Sequence, residues 1–287
     1  MPAPAIPILT SIEPIASSYD AWLADVWGVM HNGVTPFAAA CDACTRYRLA
    51  GGVVLLLSNA PRPASSVAAQ LDRIGVPRFA YDAIVSSGDA ARAFIAVLGD
   101  RPVFHLGPER DLGIYEGLSV RLVEHESEAA AVVCTGLFDD DIETPDDYAE
   151  TLDGFAARGL GMICANPDIF VERGGKLVYC AGAIAAAYEK LGGRVQYAGK
   201  PHLPVYDMAF GTIAKLKSKP IDKSRVLAIG DGLYTDIKGA ANAGVSSIYI
   251  ASSVSMAAGE ALDAVSLARL FTDATVQPIA AMMALTW

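Results

Sequence analysis

The sequence predicts an α/β protein with a parallel sheet built from both ends of the chain and a separate α/β domain inserted between them. Two observations carry this. Apolar runs alternate with turns and helical stretches, the pattern of βα units. The continuous apolar runs of the first hundred residues also return, in the same style, after residue 225. A strand buried on both faces reads as an unbroken aliphatic run, as parallel sheets require.

Taken in order, "AWLADVW" predicts a strand over residues 21–27, ending at Gly28. Residues 37–49 predict a helix, and "GVVLLLS" (Gly52 to Ser58) a fully buried strand. "NAPRP" is a turn, followed by a helix over 64–75. "DAIVSS" predicts a short strand and "GDAARAFIAVLG" a helix. The middle block brings strands at "PVFHLG", "AAVVCTG" (130–136) and "GLGMICANPD" (159–168), with a helix over 145–158. "RVLAIGDG" (Arg225 to Gly232) and "VSSIYIAS" (Val245 to Ser252) return to the buried style. The predicted division is a core of residues 1–97 and 194–287, with residues 98–193 inserted. The apolar end, "QPIAAMMALTW", is expected to dock on the core.

Composition narrows the function. With 53% hydrophobic and 19% charged residues the chain buries a substantial core. A net charge of −10 argues against nucleic acid and anionic membrane surfaces as partners. No apolar run approaches the roughly 20 residues that span a bilayer, and the proline-rich start has no basic region of a signal peptide. Cys41 and Cys44 have C-x-x-C spacing, but no second pair or histidine completes a zinc site, so they read as small helix residues. A reduced, cytoplasmic protein is expected.

Four clusters fall at strand ends or helix starts: Asp25, Ser58 with Asn59, Lys200, and Gly230-Asp231 with Asp236. Carboxyl ends of parallel strands share an edge where ligands bind. Together these residues offer a carboxylate nucleophile, a hydroxyl, backbone N–H donors, a cation and two more carboxylates. That set suits phosphoryl transfer, in which catalysis is mostly positioning and charge neutralisation. Crowded carboxylates need a divalent cation among them, and magnesium takes oxygen ligands. Taken singly, each piece also has a structural reading: Asp25 as a helix cap, "SNAP" as a turn, and "GDGLYTD" as a tight turn.

With "DVWGV", "LLLSNA", "GKP" and "IGDGLYTD" in this order, the chain resembles the haloacid dehalogenase superfamily. The stretch "CANPD…CAGAIAAAYEKLGG…YAGKPHLPVYDMA" is similar to the cap-to-core passage of the class IIA, NagD-like phosphatases. The resemblance covers residues 20 to 252. It implies a Rossmann-like core with an α/β cap, an aspartyl-phosphate intermediate and a homodimer through the cap. It further implies that Asp25 is the nucleophile and a Mg2+ ligand, joined by Asp231, Asp236 and the backbone carbonyl of Trp27. Ser58 and the N–H of Asn59 would hold phosphate oxygens, Lys200 would steady the charge, and Asp168 in the "NPD" turn would face a small phosphorylated metabolite, with a plain turn-forming role as its rival reading.

One position departs from the family. Its phosphatases carry a second Asp two residues after the nucleophile, where this chain has Trp27. An indole cannot take that proton, which removes an effect of roughly 10²–10⁴ in rate. His31 and His202 stand near enough in sequence to be considered as substitutes, with loop and helix-start roles as the plainer reading. An aromatic residue at position 27 is also a mark of metal-independent dehalogenases of the superfamily. Dehalogenation and non-catalytic binding of a phosphorylated metabolite therefore stand as alternatives.

Overall fold

The structure is a computed structural model and describes residues 6–173, 176–251 and 261–287. By their internal contacts the residues divide into two compact units. The first comprises Met1–Ser58, Ala68–Val85 and Tyr206–Trp287, the second Asn59–Val67 and Ser86–Val205. The expected insertion, 98–193, lies within the second unit, which also takes in 59–67, 86–97 and 194–205.

In chain order the strands are β1 (Ala21–Ala24), β2 (Val53–Ser58), β3 (Ala83–Ser86), β4 (Pro102–Leu106), β5 (Arg121–Val123), β6 (Ala131–Cys134), β7 (Gly161–Cys164), β8 (Phe170–Arg173), β9 (Lys176–Tyr179), β10 (Arg194–Tyr197), β11 (Val226–Gly230), β12 (Ser246–Ile250) and β13 (Ala280–Met282).

The first unit is built on a six-stranded sheet in the order β13-β12-β11-β1-β2-β3. β1 lies between β11 and β2, parallel to both. Every residue of β1 and β11 is buried, which is why their sequences are unbroken apolar runs. Trp22 of β1 is fully buried and stacks on Tyr47 of the helix Ala38–Leu49, ring centroids 3.8 Å apart and ring planes nearly parallel. Tyr47 is fixed in turn by its hydroxyl, which donates to the carbonyl of Tyr19 at 2.9 Å. The C-terminal segment docks on this core as expected: β13 pairs parallel with β12, Leu285 is buried, and the Trp287 ring lies 6.5 Å from that of Trp22.

The second unit holds a five-stranded parallel sheet, order β10-β7-β6-β4-β5, and an antiparallel ribbon of β8 and β9. Its core packs Leu106, Val132, Phe155, Met162, Ile184 and Tyr188. The alanine-rich helix Ala181–Lys190 brings a narrow face to it, and the Tyr188 hydroxyl donates to the carbonyl of Leu160 at 2.7 Å.

Several boundaries differ from expectation. β1 stops at Ala24 rather than Trp27, because the chain turns at once: Met30 N–H donates to Val26 and Gly28 N–H to His31. The helix predicted over 145–158 starts as a 3-10 turn, Pro145–Tyr148, capped reciprocally by Thr144 and Asp147, and becomes α-helical at Ala149–Ala157. The strand predicted over 159–168 is confined to β7. The predicted strand 245–252 is β12, and its last residue, Ser252, lies outside the described residues. Cys41 and Cys44 sit buried in the helix Ala38–Leu49, and none of the five cysteines forms a disulfide.

Candidate active site

Asp25 is the first residue past β1, and its N–H continues the parallel ladder to Ile229 O at 2.8 Å. Asp231 is likewise the first residue past β11, the neighbouring strand. Two adjacent parallel strands thus end in aspartates at the same edge of the first unit. A π-helical turn, Leu233–Ile237, follows β11 and supplies Asp236. Widened helical turns of this kind recur at functional sites. Ligand oxygens of Asp25, Asp231 and Asp236 lie within 4.8 Å of one another. Asp25 and Asp236 are buried and Asp231 is half-buried.

The glycines of the two motifs follow from that crowding. Gly28 has φ +81°, and a Cβ there would overlap the Asp231 carboxylate. A Cβ at Gly230 would overlap the Asp236 carboxyl group, and one at Gly232 the Thr235 hydroxyl. Asp236 is held from both sides: its Oδ2 accepts from Gly232 N–H at 3.0 Å, and its N–H donates to Gly232 O at 2.8 Å. Three carboxylates in a half-buried setting repel one another unless positive charge joins them. An all-oxygen set of hard anionic donors fits magnesium or calcium better than zinc or copper.

Trp27 turns its ring onto its own loop. Its backbone bridges to His31, the two rings lie 5.5 Å apart, and the indole fills the space that a Cβ at Gly33 would need. His31 is buried, its Nδ1 accepts from Gly33 N–H at 2.8 Å, and burial pulls its pKa down to about 4. A neutral, enclosed imidazole of this kind braces the loop 26–36. His202 stacks flat on Tyr197, with centroids 4.5 Å apart, at the start of the helix Leu203–Lys217.

Ser58 is the buried last residue of β2, in the first unit. Asn59, Asp168 and Lys200 belong to the second unit and are brought together there. Asn59 Oδ1 accepts from the Lys200 N–H at 2.7 Å, and its Nδ2 donates to Lys200 O at 3.1 Å and Asp168 Oδ1 at 2.8 Å. Lys200 is 2% exposed. The sequence placed Asn59 at the site through its backbone N–H alone. The role of its side chain was not read, because both partners are more than a hundred residues away.

Haloacid dehalogenase-like hydrolase matches residues 22–120, and a related hydrolase family of the same type matches residues 197–273. The crystal structure of a haloacid dehalogenase-like hydrolase from Brucella suis is 47% identical, with a TM-score of 0.86, over 96% of this chain and 99% of that one. The chain belongs to the haloacid dehalogenase-like family. It is a hydrolase, one of the class IIA phosphatases of that family. D-glycerol 3-phosphate phosphatase of Mycobacterium tuberculosis is 29% identical over 252 residues, 86% of this chain and 67% of that protein. A glycerol phosphate phosphatase structure from the same organism, in complex with magnesium, is 26% identical with a TM-score of 0.63, covering 84% of this chain and 70% of that one. Among the described residues no helix is long and apolar enough to cross a membrane.

Proposed function

We propose that this chain is a magnesium-dependent phosphatase that hydrolyses a small phosphorylated metabolite through an aspartyl phosphate on Asp25. The convergence of Asp25, Asp231 and Asp236 within 4.8 Å carries the reading. The relatives named as phosphatases, one of them holding magnesium, support it.

A carboxylate oxygen of Asp25 would attack phosphorus, and the leaving oxygen would depart with the bonding pair. Water would then attack the phosphorus of the acyl phosphate, returning Asp25 and inorganic phosphate. Asp25, Asp231, Asp236 and the carbonyl of Trp27 would hold the magnesium, which supplies positive charge to the carboxylates and the phosphoryl oxygens. Ser58 and the Asn59 N–H would hold phosphoryl oxygens, and Lys200 would offset their charge. Since Trp27 carries no exchangeable acid, the leaving group has to depart with little help. Aryl and acyl phosphates should therefore be the best substrates. The buried, unbridged cysteines support a reduced compartment, the cytoplasm, and association as a homodimer through the second unit belongs to the same reading.

Steady-state turnover of p-nitrophenyl phosphate and acetyl phosphate, with and without magnesium, tests this. Turnover that needs the metal, and trapping by beryllium fluoride that needs Asp25, are expected. No turnover of either compound together with no trapping overturns the proposal. Halide release indifferent to chelators would indicate a dehalogenase instead, and thermal stabilisation by phosphorylated compounds without turnover would indicate a binding protein.

A further inference from the structure

The Asn59 carboxamide engages its oxygen and its NH2 group in one place. Its oxygen and one N–H engage both backbone groups of Lys200, as a strand partner would, and an N–H also reaches Asp168. The fit around it is close. A Cβ at Gly199 would overlap Asn59 Oδ1 and press on Ser87 Oγ and Pro167 Cδ, so residue 199 has room only for hydrogen. Asp168 is anchored on its other side. Its N–H donates to Asn166 Oδ1 at 3.0 Å, and its carbonyl accepts from Gly182 N–H at 3.1 Å. A Cβ at Gly182 would overlap the carbonyls of Pro167 and Asp168, so the turn and the helix Ala181–Lys190 approach as closely as backbone allows.

We propose that Asn59 is a positioning residue that couples the turn 166–168 to Lys200, with Asp168 acting through Asn59 rather than directly on substrate. The assignment rests on the phosphatase reading only for what Lys200 does in catalysis; the coupling itself stands on the hydrogen bonds. A lysine side chain has four rotatable carbons, so fixing its backbone on both sides narrows where the ammonium can reach. Misplacing a catalytic group by about 1 Å costs on the order of 10²-fold in rate.

Two readouts test it on the full chain. In the first, Asn59→Ala lowers kcat on p-nitrophenyl phosphate with magnesium about 10- to 100-fold, while KM stays within about threefold. Asn59→Asp keeps the acceptor for Lys200 N–H but loses both donors and sets a carboxylate against Asp168, so it falls at least as far. Gly199→Ala, which removes no polar group, gives the same kcat-weighted loss by displacing the carboxamide. Asp168→Asn keeps an oxygen for Asn59 and recovers about tenfold or more over Asp168→Ala. In the second, amide exchange at Lys200 rises at least about tenfold in Asn59→Ala, with protection in β1 and β6 unchanged. If wild-type protein turns over neither test substrate, the phosphatase reading falls, and the amide exchange still judges the coupling. Unchanged exchange at Lys200 overturns the coupling. So does activity of Asn59→Ala within twofold of wild type. Asp168→Asn no better than Asp168→Ala overturns the role given to Asp168 and assigns its charge to the substrate.

Discussion

The two edges of the six-stranded sheet in the first unit treat aspartate in opposite ways. At the carboxyl ends of β1 and β11, three carboxylates converge within 4.8 Å, with glycines cut away to admit them. At the amino ends of the same two strands another carboxylate, Asp20, sits among cations. Arg225 donates to its Oδ1 at 2.8 Å, Lys219 lies 3.6 Å from its Oδ2, and Lys217 donates to its carbonyl at 3.2 Å. The amino-end arrangement lowers the energy of the fold. The carboxyl-end arrangement gathers like charge that a cation among the oxygens would offset. Gathered like charge marks the edge proposed as functional, and charge paired with arginine and lysine marks the structural one.

The largest expected effect follows from breaking the crowded edge. Asp25→Asn removes the proposed nucleophile and should lower kcat by at least about 10³-fold. The same substitution removes one of three repelling charges, so the metal-free variant should melt at or above the temperature of wild type. Loss of activity with an unmoved or higher Tm is the outcome to look for in paired kinetics and thermal denaturation. A variant that is inactive only because it unfolds would erase the contrast between the edges.

Magnesium should act next in size, and on one edge only. Binding to the folded state alone raises stability by about 2.7 kcal/mol at a concentration of 100 Kd. Tm measured against magnesium concentration should rise for wild type, and much less for Asp231→Asn or Asp236→Asn. Equal shifts in all three proteins would place the ion elsewhere. Somewhat smaller is the effect of Gly28→Ala. It forces a Cβ into a φ +81° position against the Asp231 carboxylate and should cost about 1–3 kcal/mol of stability. Because the displaced group is a ligand candidate, the stabilisation by magnesium should shrink with it. Gly51→Ala has φ +92° but open space, so it separates backbone strain from the collision.

How much of this was legible depended on whether the signal was local. Asp25 and Asp231 each end an unbroken apolar run, so strand, strand end and acid could be read within a dozen residues. Asp236 could be read from its spacing to Asp231, but the π-helical turn that aims it could not. The ribbon of β8 and β9 left no comparable trace: Phe170, Leu177 and Tyr179 are exposed, so no buried periodicity marks it. β13 has three residues, too few for a pattern, though the apolar end of the chain did announce its docking. The Asn59 side chain was the least legible, since its hydrogen bonds join residues 109 and 141 positions away. Trp27 was legible as an oddity only. Its contact with Gly33 explains how the loop holds the ring, and nothing in the sequence showed which way the ring turns.

The smallest effect belongs to the amino-end edge, and it closes the comparison from the other side. Arg225, by hydrogen bond and then by charge, holds the Asp20 carboxyl below its usual range, with Lys219 and Lys217 adding to it. A carboxylate whose pKa is lowered in the folded protein stabilises it at all pH values above the unfolded pKa, 3.8. That contribution fades as pH falls through the lower, folded value. Asp20 is half-buried at the surface, where solvent still screens the pair, so its worth is about 0.5–1 kcal/mol. Asp20→Asn should therefore lower stability by about that much at pH 7 in low salt, less in 1 M salt, and progressively less as pH falls below 3.8. Its kcat should match wild type throughout, because the edge it disturbs is the far one. If Asp20→Asn changed kcat, or if its stability loss survived both salt and acid, the division of labour between the two edges would not hold.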